Sequence, residues 1–301
     1  MKYPTSLLAV LEGSKTDRAL VAKAARLARR FGARLELFLC DAEHAYALKH
    51  DYQPSHVEAM SRGYIKKATD YLNTLRVEPA LEGIDVSVSA ACESPLYEGI
   101  VRKVMQSRPD MVLKHAGGVH GRAQAVFDPN DWQLMRKCPV TLLMTRGRSW
   151  HAHPRFAAVV DVSAEETAGL ACSILDTSAM LSAAHDCETE LLYSEPGDVA
   201  GDVRAARADA LRNLALQCHV DVSGVHVLDG TPEQTLPSAL LEGRYDVLTM
   251  GALTHRPGVT ALVGTLTSRL VDAADCDFVL VRPEVMQARR PIADQSEVRP
   301  S

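Results

Sequence analysis

The chain has 301 residues, 47% hydrophobic and 24% charged, with a formal net charge of −5. That is an ordinary globular make-up, about two average domains long. A negative balance excludes a general nucleic-acid or anionic-membrane binder, since either needs a basic face, and no apolar run approaches the roughly 20 residues of a spanning helix. Residues 1–4 lead into a strand pattern rather than a secretory leader. The seven cysteines are scattered and never form a Cys-x-x-Cys pair. The expected setting is cytoplasmic, with reduced thiols.

The first half opens with a continuous apolar run at 6–11, the pattern of a buried parallel strand. A helix is expected over 16–31, with Leu20, Ala24, Leu27 and Phe31 on one face and Gly32 stopping it. Strand 35–40 follows, then a polar excursion at 41–55, a long helix at 57–76 and a strand at 86–90. Helix 96–106, strand 111–113, a short helix at 131–136 and strand 140–144 complete the set. The polar, proline-punctuated stretch 148–154 reads as a boundary between domains 1–149 and 150–283, and 284–301 reads as a polar tail.

The second half repeats the order. Strands are expected at 156–160, 190–193, 225–228, 247–250 and 278–281, and helices at 165–184, 199–218, 233–241 and 266–273. Landmarks recur: Asp110 and Asp246 precede the fourth strands, and Cys138 and Cys276 the fifth. Strict β/α alternation predicts an α/β fold of two tandem doubly wound parallel sheets, Rossmann-like, with helices on both faces.

Ligands of such sheets bind beyond the carboxyl ends of the strands, where strand order reverses. Asp161 and Gly251 both fall at such ends. Asp161 offers a carboxylate to a ribose hydroxyl or a base amino group. The turn from Gly251 to Thr254 and the amides of Gly264 and Thr265 suit phosphates, because glycine admits close backbone approach and a helix N-terminus supplies free N–H groups. Thr265 adds a hydroxyl and Arg256 a charge. Val162 and Leu228, beside the first and third strand ends of this half, complete the set.

The spacing Gly251, two residues, Thr254, nine residues, Gly264-Thr265 resembles the nucleotide loop of the universal stress protein family, with Thr254 in place of the middle glycine. Asp161 matches the family's aspartate after the first strand, and the turn 228–232 is in its style. Over residues 4–283 the ordered motifs resemble the family's tandem two-domain members. The resemblance implies an adenine nucleotide, ATP with or without Mg²⁺, in the second half. It also implies pairing of last strands, here 140–144 with 278–281 antiparallel within one chain, or a homodimer.

The first half lacks this equipment. Glu12 stands where Asp161 does, no Gly-Thr pair follows the fourth strand, and Asp128 would oppose a phosphate. Lys114 and Arg122 read as solvated loop charges. His44, His50, His56, His115, His120, His151 and His153 have no Cys or carboxylate at zinc spacing and read as surface residues. Residues Tyr46, Leu48, Tyr52, Val57, Met60 and Tyr64 suggest an apolar cleft.

Three readings of function follow. The first is a stress-response regulator that binds ATP to control association or signalling. The second is a chaperone-like or interaction module whose pockets hold a hydrophobic ligand or a metal. The third, an adenylating or hydrolysing enzyme, lacks a nameable general base and a Ser-Gly-Gly loop after the first strand; slow ATP hydrolysis is the most it implies.

Overall fold

The computed structural model describes residues 3–48, 54–116, 128–162, 168–197, 201–252, 270 and 276–282. Among them ten strands form one sheet, ordered β3-β2-β1-β4-β5-β10-β9-β6-β7-β8. The first five are β1 (Ser6–Leu11), β2 (Arg34–Cys40), β3 (Val86–Ala91), β4 (Met111–His115) and β5 (Thr141–Thr145). The rest are β6 (Phe156–Val159), β7 (Thr189–Glu195), β8 (Val222–Asp229), β9 (Val247–Gly251) and β10 (Asp277–Val281). Neighbours are parallel except β5 and β10, which run antiparallel with Phe278 opposite Met144 and Leu280 opposite Leu142. The fold is thus α/β, as the alternation predicts, with each half giving five consecutive positions of the sheet.

Helices cover both faces. One face carries α1 (Asp17–Phe31), α3 (Pro54–Arg76), α6 (Ala168–Ala183) and α7 (Gly201–Gln217). The other carries α4 (Leu96–Ser107), α5 (Pro129–Lys137) and α8 (Pro232–Gly243). With helices on both sides, every residue of β1 is buried, which is why it is apolar without a break from Leu7 to Leu11. Helix α1 buries Leu20, Ala24 and Leu27 on one stripe and ends at Gly32, whose φ of +64° favours glycine.

The repeat extends to the joints. Both α4 and α8 end on an arginine in the left-handed region, Arg108 and Arg244, each at φ +48°. Two residues on, Asp110 accepts the Thr5 and Ser6 backbone N–H groups at 2.7 and 3.0 Å. Asp246 likewise accepts those of His151 and Arg155, at 3.1 and 3.0 Å. These landmark aspartates therefore fasten the segment entering each half's first strand.

Four differences from the expectations stand out. The excursion after β2 contains a helix, α2 (Ala42–Leu48), whose start is held by His44 N–H donating to Asp41 at 3.1 Å and whose Ala45 and Leu48 are buried. Helix α3 begins at Pro54, a residue suited to the first helical turn. The boundary stretch, polar in sequence, carries a core residue: Trp150 is buried and donates from Nε1 to Asp277 at 2.8 Å. Finally, Cys172 and Cys218 form a disulfide, which corrects the expectation of seven reduced thiols; Cys40, Cys92, Cys138, Cys187 and Cys276 are free. The helix expected at 266–273 lies outside the described residues apart from Leu270, which is buried.

Candidate functional site

The order β10-β9-β6-β7-β8 places the reversal of the second half between β9 and β6. A crevice opens at such a reversal because successive crossovers leave toward opposite faces. β6 pairs with β9, Phe156 opposite Val247 and Ala158 opposite Thr249, so the two carboxyl ends emerge side by side. Gly251 closes β9, and Asp161 with Val162 follows β6; all three are half-buried. The sheet therefore brings Asp161 and Gly251 to the carboxyl ends of two adjacent strands, at the reversal of strand order. Leu228, near the end of β8, lies farther along the same edge, with β7 between. Thr254, Arg256, Gly264 and Thr265 lie outside the described residues.

Gly251 is tightly placed. A Cβ there would come within 3.1 Å of Leu170 Cδ2 and 3.6 Å of Ile174 Cδ1. The start of α6 thus lies directly against the end of β9, and the absence of a side chain permits the approach. The next residue, Ala252, is fixed by its N–H donating to the Val281 carbonyl at 2.7 Å.

Sequence reasoning missed a polar group on the β7 side of the crevice. Tyr193 and Glu195 alternate onto one face of β7, and Arg207 reaches down from α7 to Glu195 Oε2 at 2.5 Å. The guanidinium lies 5.9 Å from the Tyr193 ring centroid. Its hydrogen bond, together with one from Tyr193, holds the Glu195 carboxyl below its ordinary range despite partial burial. Burial and the bond to Glu195 push the Tyr193 phenol up to about 12. The Asp161 carboxylate acts electrostatically on both Tyr193 and Arg207, raising the pKa of each. Period-2 alternation over a longer strand was the signal that could have paired Tyr193 with Glu195, but the expected strand stopped at 193 and nothing in the sequence placed α7 over them.

The corresponding crevice of the first half, between β1 and β4, is filled from within. Lys114 Nζ donates to Glu12 Oε1 at 2.6 Å and to the His115 carbonyl at 3.0 Å. It also pairs with Asp131 Oδ1 at 2.8 Å. Lys114 and Asp131 side chains are fully buried and Glu12 nearly so. Burial alone would lower the Lys114 pKa, but the carboxylates of Asp131 and Glu12 outweigh it and hold the ammonium above its ordinary range. Lys114 is therefore not a solvated loop charge. Arg122 lies outside the described residues.

Asp128 caps α5, accepting the Asp131 N–H at 2.8 Å in a reciprocal capping box. His115 is partly buried rather than a surface residue, and burial with the charges of Lys114, Lys23 and Arg146 lowers its pKa to about 4. Among the described residues no group of three or more His, Cys, Asp or Glu is arranged to hold a metal. No helix among them is long and apolar enough to cross a membrane.

The sequence profile of the Universal stress protein family matches residues 5–146. Universal stress protein E of Escherichia coli strain K12 is 23% identical over 312 aligned positions, covering 97% of this chain and 98% of the relative. The protein of the same name from Photorhabdus laumondii is 24% identical, with 93% and 95% covered. Among solved structures, one from Pseudomonas aeruginosa UCBPP-PA14 described as a universal stress protein aligns with a TM-score of 0.71 at 20% identity, covering 93% of this chain and 94% of that one. A universal stress protein from Archaeoglobus fulgidus DSM 4304 aligns at 0.64 and 12% identity, covering 92% and 96%.

Proposed function

As this chain is a tandem member of the universal stress protein family, with the stress-response role that membership carries, we propose that its second half binds an adenine nucleotide. The reading places ATP, with or without Mg²⁺, in the crevice between β6 and β9. Asp161 accepts hydrogen bonds from the nucleoside, Val162 and Leu228 flank it, and Gly251 lets the phosphates approach the main chain. Thr254, Arg256, Gly264 and Thr265 supply the remaining phosphate contacts. The bound state then sets association or signalling rather than driving a chemical reaction.

The observation that supports this reading is that Asp161 and Gly251 follow the carboxyl ends of two neighbouring strands at the reversal of strand order, where a doubly wound sheet takes its ligands. The contrast with the first half supports it, since there a buried ammonium and two carboxylates occupy the matching place. Calorimetric titration of the full chain with ATP is the test. Saturable binding at one site per chain, abolished by Asp161→Ala and by Gly264→Asp, is the expected result. No heat at millimolar ATP, or binding indifferent to both substitutions, would refute it.

A second reading has its own observation. Ala45, Leu48 and Val57 line a cleft of about 300 Å³ together with the polar Ser61, Cys92 and Ser94 and the charged Glu93, Glu98 and Arg102. That cleft, in the first half, is the place where a ligand with an apolar part would lie against the residues of the 41–64 segment. A fluorescent apolar probe displaced by Leu48→Arg would favour it.

A further inference from the structure

Helix α6 links the proposed nucleotide crevice to a disulfide. Its Leu170 and Ile174 face the end of β9, within 3.1 and 3.6 Å of where a Gly251 side chain would begin. Cys172 lies between them in sequence and, at about 100° per residue, projects from the opposite side of the helix. There it is bonded to Cys218, just beyond the last turn of α7 and 46 residues away. Both cysteines are partly buried rather than sealed in the core. Helix α7 is otherwise lightly held, burying only Leu211 and Ala215 in 17 residues.

The first half solves the same mechanical problem without sulfur. Asp17, in the first turn of α1, accepts the N–H groups of Glu12, Gly13 and Ser14 at 3.1, 2.9 and 3.2 Å. The same carboxylate accepts the Tyr71 hydroxyl of α3 at 2.9 Å. The turn after β1 is thereby fastened to α1, and the start of α1 to α3, by hydrogen bonds. In the second half the corresponding tie between the α6 start and α7 is covalent and breakable. Neither α1 nor α3 contains a cysteine.

We propose that the Cys172–Cys218 bond is a redox-sensitive brace on the nucleotide crevice, which binds ATP tightly when the bond is intact and weakly when it is reduced. This rests on the nucleotide reading of that crevice. A small dithiol reduces the bridge: one of its sulfurs attacks a cysteine Sγ and breaks the Sγ–Sγ bond, and its second sulfur then attacks the first, expelling the cysteine Sγ held in the mixed disulfide. Two electrons pass to the protein, each cysteine sulfur gains a proton, and the dithiol leaves as a cyclic disulfide. Exchange with a small disulfide reverses the step.

The experiment uses the full chain, oxidised or treated with dithiothreitol, with C172A/C218A as control. Alkylation should count five thiols before reduction and seven after; seven before reduction overturns the proposal. Amide exchange across 168–174, measured without nucleotide, should speed up on reduction, as expected of a segment that has lost an anchor. ATP affinity should fall about ten-fold, within the usual range of coupling between sites. The double variant should match the reduced protein under both conditions, which separates this bridge from the other five thiols. ATP binding that is equal in the two redox states overturns the coupling and leaves the nucleotide reading intact. No ATP binding in either state overturns that reading and the coupling with it.

Discussion

Lys23 of α1 and Asp277 at the start of β10 meet at 2.5 Å in the interior, although 254 positions separate them in sequence. Asp277 also accepts Trp150 Nε1 and the Arg146 N–H, both at 2.8 Å. One carboxylate thus joins a helix of the first half, the connecting segment and a strand of the second. Removing one partner of a buried pair leaves the other unpaired, at about 3–5 kcal/mol. Lys23→Met should show a loss of that size in urea unfolding, and K23M/D277N should recover part of it. A Lys23→Met protein as stable as the parent would contradict this account.

Lys114 presents the same physics in the first-half crevice. Lys114→Met, the residue found at the matching position 250, should cost about 3–5 kcal/mol by stranding Glu12 and Asp131. With the native lysine in place, ATP should bind with a stoichiometry of one per chain. Two sites of similar affinity would show that the buried cluster does not close the first half.

His115 makes stability depend on pH. Its folded pKa, about 4, lies below its ordinary 6.5, so the unfolded chain takes up more protons between those values. The stabilisation is complete above about 6.5 and is lost as pH falls toward about 4. Because the ring keeps some solvent contact, the loss should be on the order of 1–2 kcal/mol rather than the full linkage value. Urea midpoints at pH 7 and pH 4.5 measure it, and His115→Asn should flatten that part of the profile.

Gly251 separates space from conformation. In Gly251→Ala the new methyl meets the flexible end of Leu170, a side chain able to shift by tenths of an ångström, so stability should change by less than about 1 kcal/mol. Gly251→Leu overpacks the same contact and should cost about 1–3 kcal/mol. Both substitutions should weaken ATP binding, the larger one more. Thermal melts beside calorimetry distinguish the two effects.

The Asp128 cap is a local test. Asp128→Ala removes the acceptor for the Asp131 N–H, which should cost about 1 kcal/mol. Asp128→Asn should retain most of that. Equal losses for both would mean that the carboxylate charge, not the cap geometry, matters.

Much of the fold was legible because buried parallel strands and helix stripes write themselves in apolar spacing. β1 is apolar without a break from Leu7 to Leu11, and α1 repeats every three or four residues up to Gly32. Helix α2 escaped because seven residues are too few to display a period. Asp161 and Gly251 were legible as strand ends, which topology alone brings together. Arg207 was not, since its bond to Glu195 depends on how α7 lies across β7. Lys114 was misread for a related reason: its partner Glu12 is 102 positions away, and a lysine before a glycine-rich stretch looks solvated. The bond between Cys172 and Cys218 likewise joins helices whose proximity no spacing rule announces.

Among the described residues, the antiparallel seam between β5 and β10 leaves β3 and β8 as the outer margins of the sheet. Cutting the polypeptide after residue 149 would bare β5 along its whole length, and a naked strand of this kind recruits whatever strand it meets. The freed fragment would then find its own twin, β5 against β5, and run as a pair on a sizing column. A truncation meant to isolate one half would thus rebuild the seam from two molecules, so loss of a partner in such a fragment would report a blocked margin rather than a missing module.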